Sequence, residues 1–404
     1  MFVFYFFAAI LVFLSYKSFR GGIDYLNFFK RELGKPKCGF APFVSVIVPC
    51  RGLDAGLEKN LSALFEQNFP AYEVIFVTDD ETDEAVKIIE EVARRGAERA
   101  KSKLVISGKT ESESQKVHNL REAVLNVSDE SEVFVFVDSD ARPAEDWLRN
   151  LIAPLADEKI GAATGYRWFV SKKFGFASEM RSVWNASIAS ALGANLKSNF
   201  CWGGSTAMRR ATFEKLRMRE KWRGTLSDDF AVTRALKAAN LPIRFVPQAL
   251  TASVEDCTFG ELLEFTTRQM KITRVYAAHL WKQSFIGAFL FNLVFVWGIL
   301  IIAFNRADTL AFWFALISLF LISAFSTGKA WLRLKAVKLI LKDYEKDLNR
   351  QFWTQNTLWI FSPALFLYNC ACALVSRRIL WRGIAYELKS PEETVIIQPG
   401  TTRI

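Results

Sequence analysis

Three apolar runs set the first limit on what this chain can be. Ser284–Phe304, Thr309–Gly328 and Thr357–Ser376 are each long enough, or nearly so, to cross a bilayer, which takes ~20 apolar residues as a helix. A shorter run, Met1–Tyr16, extends through Ser18 and Phe19. It has no basic start and no small-residue cleavage site, so residues 1–19 read as a membrane anchor, not a removed signal peptide. Composition agrees: 36 Phe and 12 Trp in 404 residues, 51% hydrophobic and 23% charged, describe a membrane protein with a substantial polar part. A disordered or collagen-like chain is excluded.

Charge orients these runs. Lys17, Arg20, Lys30, Arg31, Lys35 and Lys37 follow the first one, which places the N-terminus outside and the chain from Lys17 onward in the cytoplasm. The short link Asn305–Asp308 then makes 284–328 a transmembrane hairpin. Beyond it, Leu334, Val337, Leu341, Tyr344 and Leu348 form an apolar stripe flanked by lysines, so 329–350 is expected to be an amphipathic helix lying in the interface, with an ordinary helix packed on the globular part as the alternative. Pro363 interrupts the last run, leaving 357–376 either a full span or a re-entrant segment; the second option keeps the basic tail, 377–404, in the cytoplasm. The formal charge of +10 flanks the apolar runs, where phospholipid headgroups account for it and nucleic acid is not needed. Six Cys without zinc spacing and only two His exclude a His/Cys metal site.

Between residues 38 and 282 the pattern changes. Val44–Val48, Val74–Val77, Leu104–Ile106 and Val133–Val137 read as buried strands, and Gly56–Phe65 and Thr82–Arg99 as helices. Strands alternating with helices predict an α/β domain with a mainly parallel sheet, whose ligands bind at the carboxyl ends of the strands. Those ends are chemically distinctive: Pro49-Cys50-Arg51-Gly52, Thr78-Asp79-Asp80 and Asp138-Ser139-Asp140. If the last is extended, its carboxylates point the same way and can share a hard cation, Mg²⁺ or Mn²⁺, which prefers few carboxylates plus phosphate oxygens. Farther on, Ser227-Asp228-Asp229 opens a helical pattern, as a cap or as a general base poised by its charged neighbour. Trp202-Gly203-Gly204-Ser205 offers close backbone approach, and Arg268-Gln269-Met270-Lys271 is cationic. His118, alone beside Lys116, reads as a pocket-wall residue.

In this order and spacing, Val77-Thr78-Asp79-Asp80, Asp138-Ser139-Asp140, Ser227-Asp228-Asp229 and Arg268-Gln269-Met270-Lys271-Ile272 resemble family 2 glycosyltransferases, most closely the ceramide glucosyltransferase-like branch. The similarity spans about Phe43–Tyr276 and resumes at Trp381-Arg382-Gly383-Ile384-Ala385-Tyr386. It implies a GT-A domain at 38–282 with transmembrane helices, and inverting, metal-dependent transfer of a glucose-type sugar from a UDP-sugar to a membrane lipid hydroxyl. By the resemblance Asp79, with Asp80, contacts the nucleotide base, and Pro49 and Arg51 border that pocket. Lys116 lies beside the nucleotide. Asp138 holds the nucleoside side and Asp140 the metal, Asp229 is the base with Asp228 its neighbour, and Trp202, Gly203 and Gly204 line the acceptor side. Arg268 and Lys271 neutralise the diphosphate. The family's last motif ends Arg-Trp, whereas here it ends Lys271-Ile272: a point charge replaces a bidentate fork and no ring is left to stack on a sugar. The expected setting is a multi-pass protein, of the bacterial inner membrane in preference to the ER or Golgi. A processive polysaccharide synthase and a silent nucleotide-sugar-binding relative are the competing readings.

Overall fold

The computed structural model describes residues 1–36, 38–305 and 307–397; Lys37, Arg306 of the expected external link, and 398–404 of the tail lie outside them. The chain divides into two compact units: Met1–Arg31, Lys173–Ser190 and Cys257–Ser376 form one, and Glu32–Lys172, Ala191–Asp256 and Arg377–Ile404 the other.

The second unit is built on a seven-stranded sheet of β1 (Val44–Pro49), β2 (Tyr72–Thr78), β3 (Lys101–Ile106), β4 (Val133–Phe136), β5 (Ala162–Val170), β6 (Thr206–Arg209) and β7 (Ile243–Val254), in the order β3-β2-β1-β4-β6-β5-β7. β1 pairs in parallel with β2 and β4, β2 with β3, and β5 with β7, while β6 runs antiparallel to both neighbours. This is the expected α/β domain with a mainly parallel sheet. Strands such as Val133–Phe136 are continuous apolar runs because both faces are covered. One face buries Ile47, Ile75, Phe134 and Phe136 against Val117 and Leu120 of helix Gln115–Ala123 and against Trp222.

Two features of this sheet position chemistry. The strand order turns back on either side of β1, so β1, β2 and β4 release their loops around one crevice. Because β6 runs backwards, the segment entering it, Trp202–Ser205, arrives at the same edge where β4 ends; Phe136 lies opposite Thr206. The tail is folded, not loose: β8 (Arg378–Trp381), β9 (Ile384–Ser390) and β10 (Glu393–Ile397) make a three-stranded antiparallel sheet that belongs to this unit.

The first unit is helical. Among the described residues, three helices are long and apolar enough to cross a membrane: Phe2–Leu33, Ala278–Phe304 and Thr309–Lys338. Phe4, Ala8 and Leu11 pack against Val294, Ile301, Ala311, Ala315 and Ile322. The first helix does not stop at residue 19 but runs to Leu33, and one glycine in each of two helices sits where the other helix comes close. A Cβ on Gly22 would lie 3.2 Å from Lys329 Cγ, and one on Gly328 would lie 2.7 Å from the Phe19 ring. Small residues thus let two long helices approach.

Residues 329–350 are not one interfacial helix. Helix Thr309–Lys338 carries the apolar pattern forward, a break follows at Leu339–Leu341, and a short helix Glu345–Arg350 ends the segment. Leu334, Val337, Leu341 and Leu348 are buried, so the stripe serves packing. The last apolar run is bent by 57° between Phe352–Ile360 and Ser362–Val375, with Pro363 in the first turn of the second helix, where a missing N–H costs nothing.

Candidate active site

Each strand end of the crevice delivers a charge, and the charges find one another. After β1, Arg51 is ion-paired to Asp79 at the end of β2, a carboxylate that is only 5% exposed. Pro49 pairs in register with Val77 beneath them. Gly52, at φ +63°, turns its N–H onto Asp83 at 3.0 Å, tying the two loops together. Asp80 does something else: it accepts from Thr82 N at 2.9 Å and Thr82 Oγ1 at 2.7 Å, which holds its carboxyl below the usual range. It shapes the turn, whereas Asp79 faces Arg51.

Asp138-Ser139-Asp140 follows β4, but not as extended chain. β4 ends at Phe136, and Ala141 N bonds back to Asp138 O at 3.1 Å, making a turn. The expected strand alternation is therefore wrong. The two carboxylates converge nonetheless, because Arg167 on β5 reaches both: Nη1 lies 2.7 Å from Asp140 Oδ2 and Nη2 3.3 Å from Asp138 Oδ2. Asn60 braces the turn by donating to Ser139 O at 3.0 Å, and Ser139 Oγ donates to Asp54 at 2.6 Å.

Lys116 is the hub. Carried on a helix whose N-cap Ser114 accepts from Val117 N at 3.2 Å, its Nζ lies 2.7 Å from Asp138 and 3.0 Å from Asp228. Burial alone would discharge the ammonium, but the Asp138, Asp228 and Asp229 carboxylates outweigh it and hold its pKa above the usual lysine value. Burial likewise works to raise Asp138, yet Lys116 and Arg167 keep it low. Asp228 goes the other way: burial pushes it up to about 6, and the Asp229 and Asp138 charges add to this against Lys116.

Asp228 and Asp229 open helix Asp228–Ala238, with Ser227 at its N-cap. Asp228 is buried at 4% exposure; Asp229 is partly open. Asp229 Oδ1 accepts from Ser227 Oγ and, at 2.7 Å, from Phe230 N, while Oδ2 has only a long 3.4 Å contact from Gly203 N. Gly203 has no room for a side chain: a Cβ there would sit 2.5 Å from Asp228 Oδ2 and 2.9 Å from Lys116 Nζ. A Cβ on Gly204 would run into the Trp202 ring at 2.2 Å. Trp202 in turn stacks under Arg167, 4.7 Å from ring centroid to guanidinium carbon.

Sequence reasoning missed Arg167, Asp54 and Asn60, and gave Arg382 no role although it lies in the stretch where the resemblance resumes. Arg167 had a signal, a single charge inside the apolar strand run Ala162–Val170. Asp54 and Asn60 had none. Arg268 and Lys271 belong to the helical unit, on helix Phe259–Tyr276, which starts with the capping box Thr258/Glu261. Arg268 lies 3.5 Å from Glu264 and over the Phe265 ring, and Ile272 is buried. Burial lowers the Lys271 pKa. His118 is a brace: its ring nitrogens lie 3.1 Å from buried Glu113 and 3.1 Å from Ser107 O.

An open crevice edged by a lysine between two carboxylates, a D-x-D turn and a partly open helix-start carboxylate is equipped for group transfer involving a charged leaving group. The model of Glycosyl transferase family 21 matches residues 8–394, and the chain belongs to that family; it is a glycosyltransferase. Among solved structures it is similar to the mannosyltransferase PcManGT from Pyrobaculum calidifontis in complex with GDP-Man and Mn²⁺, at 22% identity over 90% of this chain and 99% of that one, TM-score 0.42. It is also similar to glucosyl-3-phosphoglycerate synthase from Mycobacterium tuberculosis, at 15% identity over 61% and 81% of the two chains, TM-score 0.35. GalNAc-T7 with UDP, GalNAc and Mn²⁺ matches at 12% identity over 54% and 44%, TM-score 0.41.

Proposed function

We propose that this glycosyltransferase moves a glucose-type sugar, with inversion, from a UDP-sugar to the hydroxyl of a membrane lipid of ceramide type. The observation that carries the reading is Lys116 held between Asp138 and Asp228, since it joins the D-x-D turn to the helix-start acids at one place. Asp79 and Arg51, with Pro49 below, form the nucleoside end, and Asp80 shapes that wall. Trp202, Gly203 and Gly204 border the acceptor end.

The acceptor hydroxyl attacks the anomeric carbon as the bond from that carbon to the diphosphate oxygen breaks. Asp229 takes the hydroxyl proton, because its Oδ2 has only one long contact and its side chain is partly open to solvent. Asp228, buried against Lys116, keeps that ammonium in place beside the departing diphosphate.

A divalent cation, Mn²⁺ or Mg²⁺, fits Asp140 with Asp138. Asp140 Oδ1 is buried without a hydrogen-bond partner among the described residues. No group of three or more Asp, Glu, His or Cys side chains suited to a metal occurs among them either, so the protein would offer two carboxylates and leave the remaining positions to phosphate and water, as hard cations accept. When bound, the cation would neutralise charge on the diphosphate.

The three apolar helices and the folded tail support a multi-pass protein whose site faces the cytoplasm. Helices Ala278–Phe304 and Thr309–Lys338 are long enough to cross and return, and in this reading the bent segment Phe352–Val375 enters and leaves by one face, which keeps the tail cytoplasmic. The test is UDP release from a panel of UDP-sugars by detergent-solubilised protein with Mn²⁺, with and without ceramide or total membrane lipid. Lipid-dependent release that Asp229→Asn lowers about 100- to 10,000-fold, with UDP binding retained, is expected. Equal loss of binding and transfer would remove Asp229 from the base role. A polymeric product would favour a polysaccharide synthase, and UDP binding without release a silent relative.

A further inference from the structure

The C-terminal sheet is built against two loops and two helices of the site. At its β8–β9 turn, Arg382 forms an ion pair with Asp54, and its carbonyl accepts from Arg51 Nε at 3.3 Å. On β9, the Tyr386 hydroxyl accepts from Gln115 N at 3.2 Å, at the start of the helix that carries Lys116. At the β9–β10 turn, Glu392 pairs with Arg234 at 2.9 Å, and its carbonyl lies so close to Gly224 that a Cβ there would sit 2.3 Å away. The sheet thus touches the loop after β1, the Lys116 helix, and both the loop before the Asp228 helix and that helix itself.

The turn itself is costly for its residue. Trp381 pairs with Ile384, leaving Arg382 and Gly383 as a two-residue link with φ of +51° and +77°. Such links favour Asn-Gly or Asp-Gly, since both residues sit in the left-handed region that a Cβ resists. An arginine there makes sense if its guanidinium is needed where the turn points. That place is acidic: Asp54 is hydrogen-bonded to Ser139 of the D-x-D turn, and Asp140 and Asp138 both act on the Arg382 charge. The guanidinium is not sealed in, for 40% of its side chain stays exposed while Asp54 is nearly covered at 8%.

We infer that Arg382 is a donor-binding residue: when a nucleoside diphosphate enters, its guanidinium exchanges part of its contact with Asp54 for the diphosphate oxygens. The inference rests on the proposed nucleotide-sugar reading. It supplies what Lys271 cannot, a planar fork of donors that matches phosphate geometry two bonds at a time. Asp54 is then the partner that keeps Arg382 aimed in the empty site.

The test is calorimetric binding of UDP, UMP and uridine to the full chain in detergent, comparing wild type, Arg382→Gln and Arg382→Lys. Loss of a guanidinium–diphosphate contact should weaken UDP roughly 10- to 100-fold while leaving uridine within about threefold. Arg382→Lys, which keeps charge without the fork, should fall between. If UDP and uridine weaken together in both variants, or if neither changes, Arg382 is a structural residue of the hairpin and the inference fails. Retained uridine affinity reports that the site has folded, and if Arg382→Gln does not fold, Arg382→Lys decides alone. Failure of the wild-type protein to bind any of the three overturns the nucleotide reading itself, and this inference with it.

Discussion

The crevice of the sheet unit and the interior of the helical unit bury polar groups in different ways. At the crevice of the sheet unit they are ions matched to ions: Lys116 between Asp138 and Asp228, Arg167 across Asp138 and Asp140, and Arg51 on Asp79. In the helical unit they are matched largely by neutral partners. Glu179 accepts from Thr354 at 2.7 Å, Gln355 donates to Ser182 at 2.9 Å, and Thr266 and Thr267 share Asn369 Oδ1 at 3.3 and 3.0 Å. A buried ion pair adds little net stability over an apolar pair, but removing one member leaves a stranded charge. Neutral hydrogen bonds between helices are cheaper to lose, because each group finds alternative partners. Paired charges are therefore concentrated where chemistry requires a charged substrate, whereas in the helical body even the buried Glu179 carboxylate takes a neutral hydroxyl partner.

The sharpest way to break this contrast is Lys116→Ala. It strands Asp138 and Asp228 together, and should cost about 3 kcal/mol in detergent thermal unfolding and abolish transfer. Next comes Gly203→Ala, whose methyl group would push the Asp228–Lys116 pair apart. A displacement of this size should lower transfer about 100-fold with a smaller loss of stability. Acid probes the same pair without mutation. With its carboxyl pushed up to about 6, Asp228 protonates as pH falls through that value, so the transfer rate should be level above it and decline below; a profile flat down to pH 5 would show that Asp228 charge is not needed. The smallest effect is expected in the other unit: Thr354→Val should cost roughly 1 kcal/mol and leave the rate per folded molecule unchanged. A loss there as large as that of Lys116→Ala would erase the distinction between the units.

Much of the sheet was legible because parallel strands covered on both faces contain unbroken apolar runs, and Val46–Val48, Val74–Val77 and Val133–Phe136 are such runs. The acids at their ends stood out for the same reason. Arg167 was less visible, since its partners lie 27 and 29 positions away and only the reversal of β6 brings β5 beside them. Local pattern misled where a stripe has two uses: the spacing of Leu334 to Leu348 suits a lipid interface and a protein interior equally, and burial decides between them.

The sequence by itself determined the apolar helices, the α/β alternation and the identity of the acids at the strand ends, because these are written in runs of a few neighbouring residues. Tertiary structure alone decided which charge meets which. Lys116 joins acids 22 and 112 positions downstream, and Arg382 reaches Asp54 across 328. Such pairings depend on strand order and on which loops share a crevice, and no local periodicity encodes either.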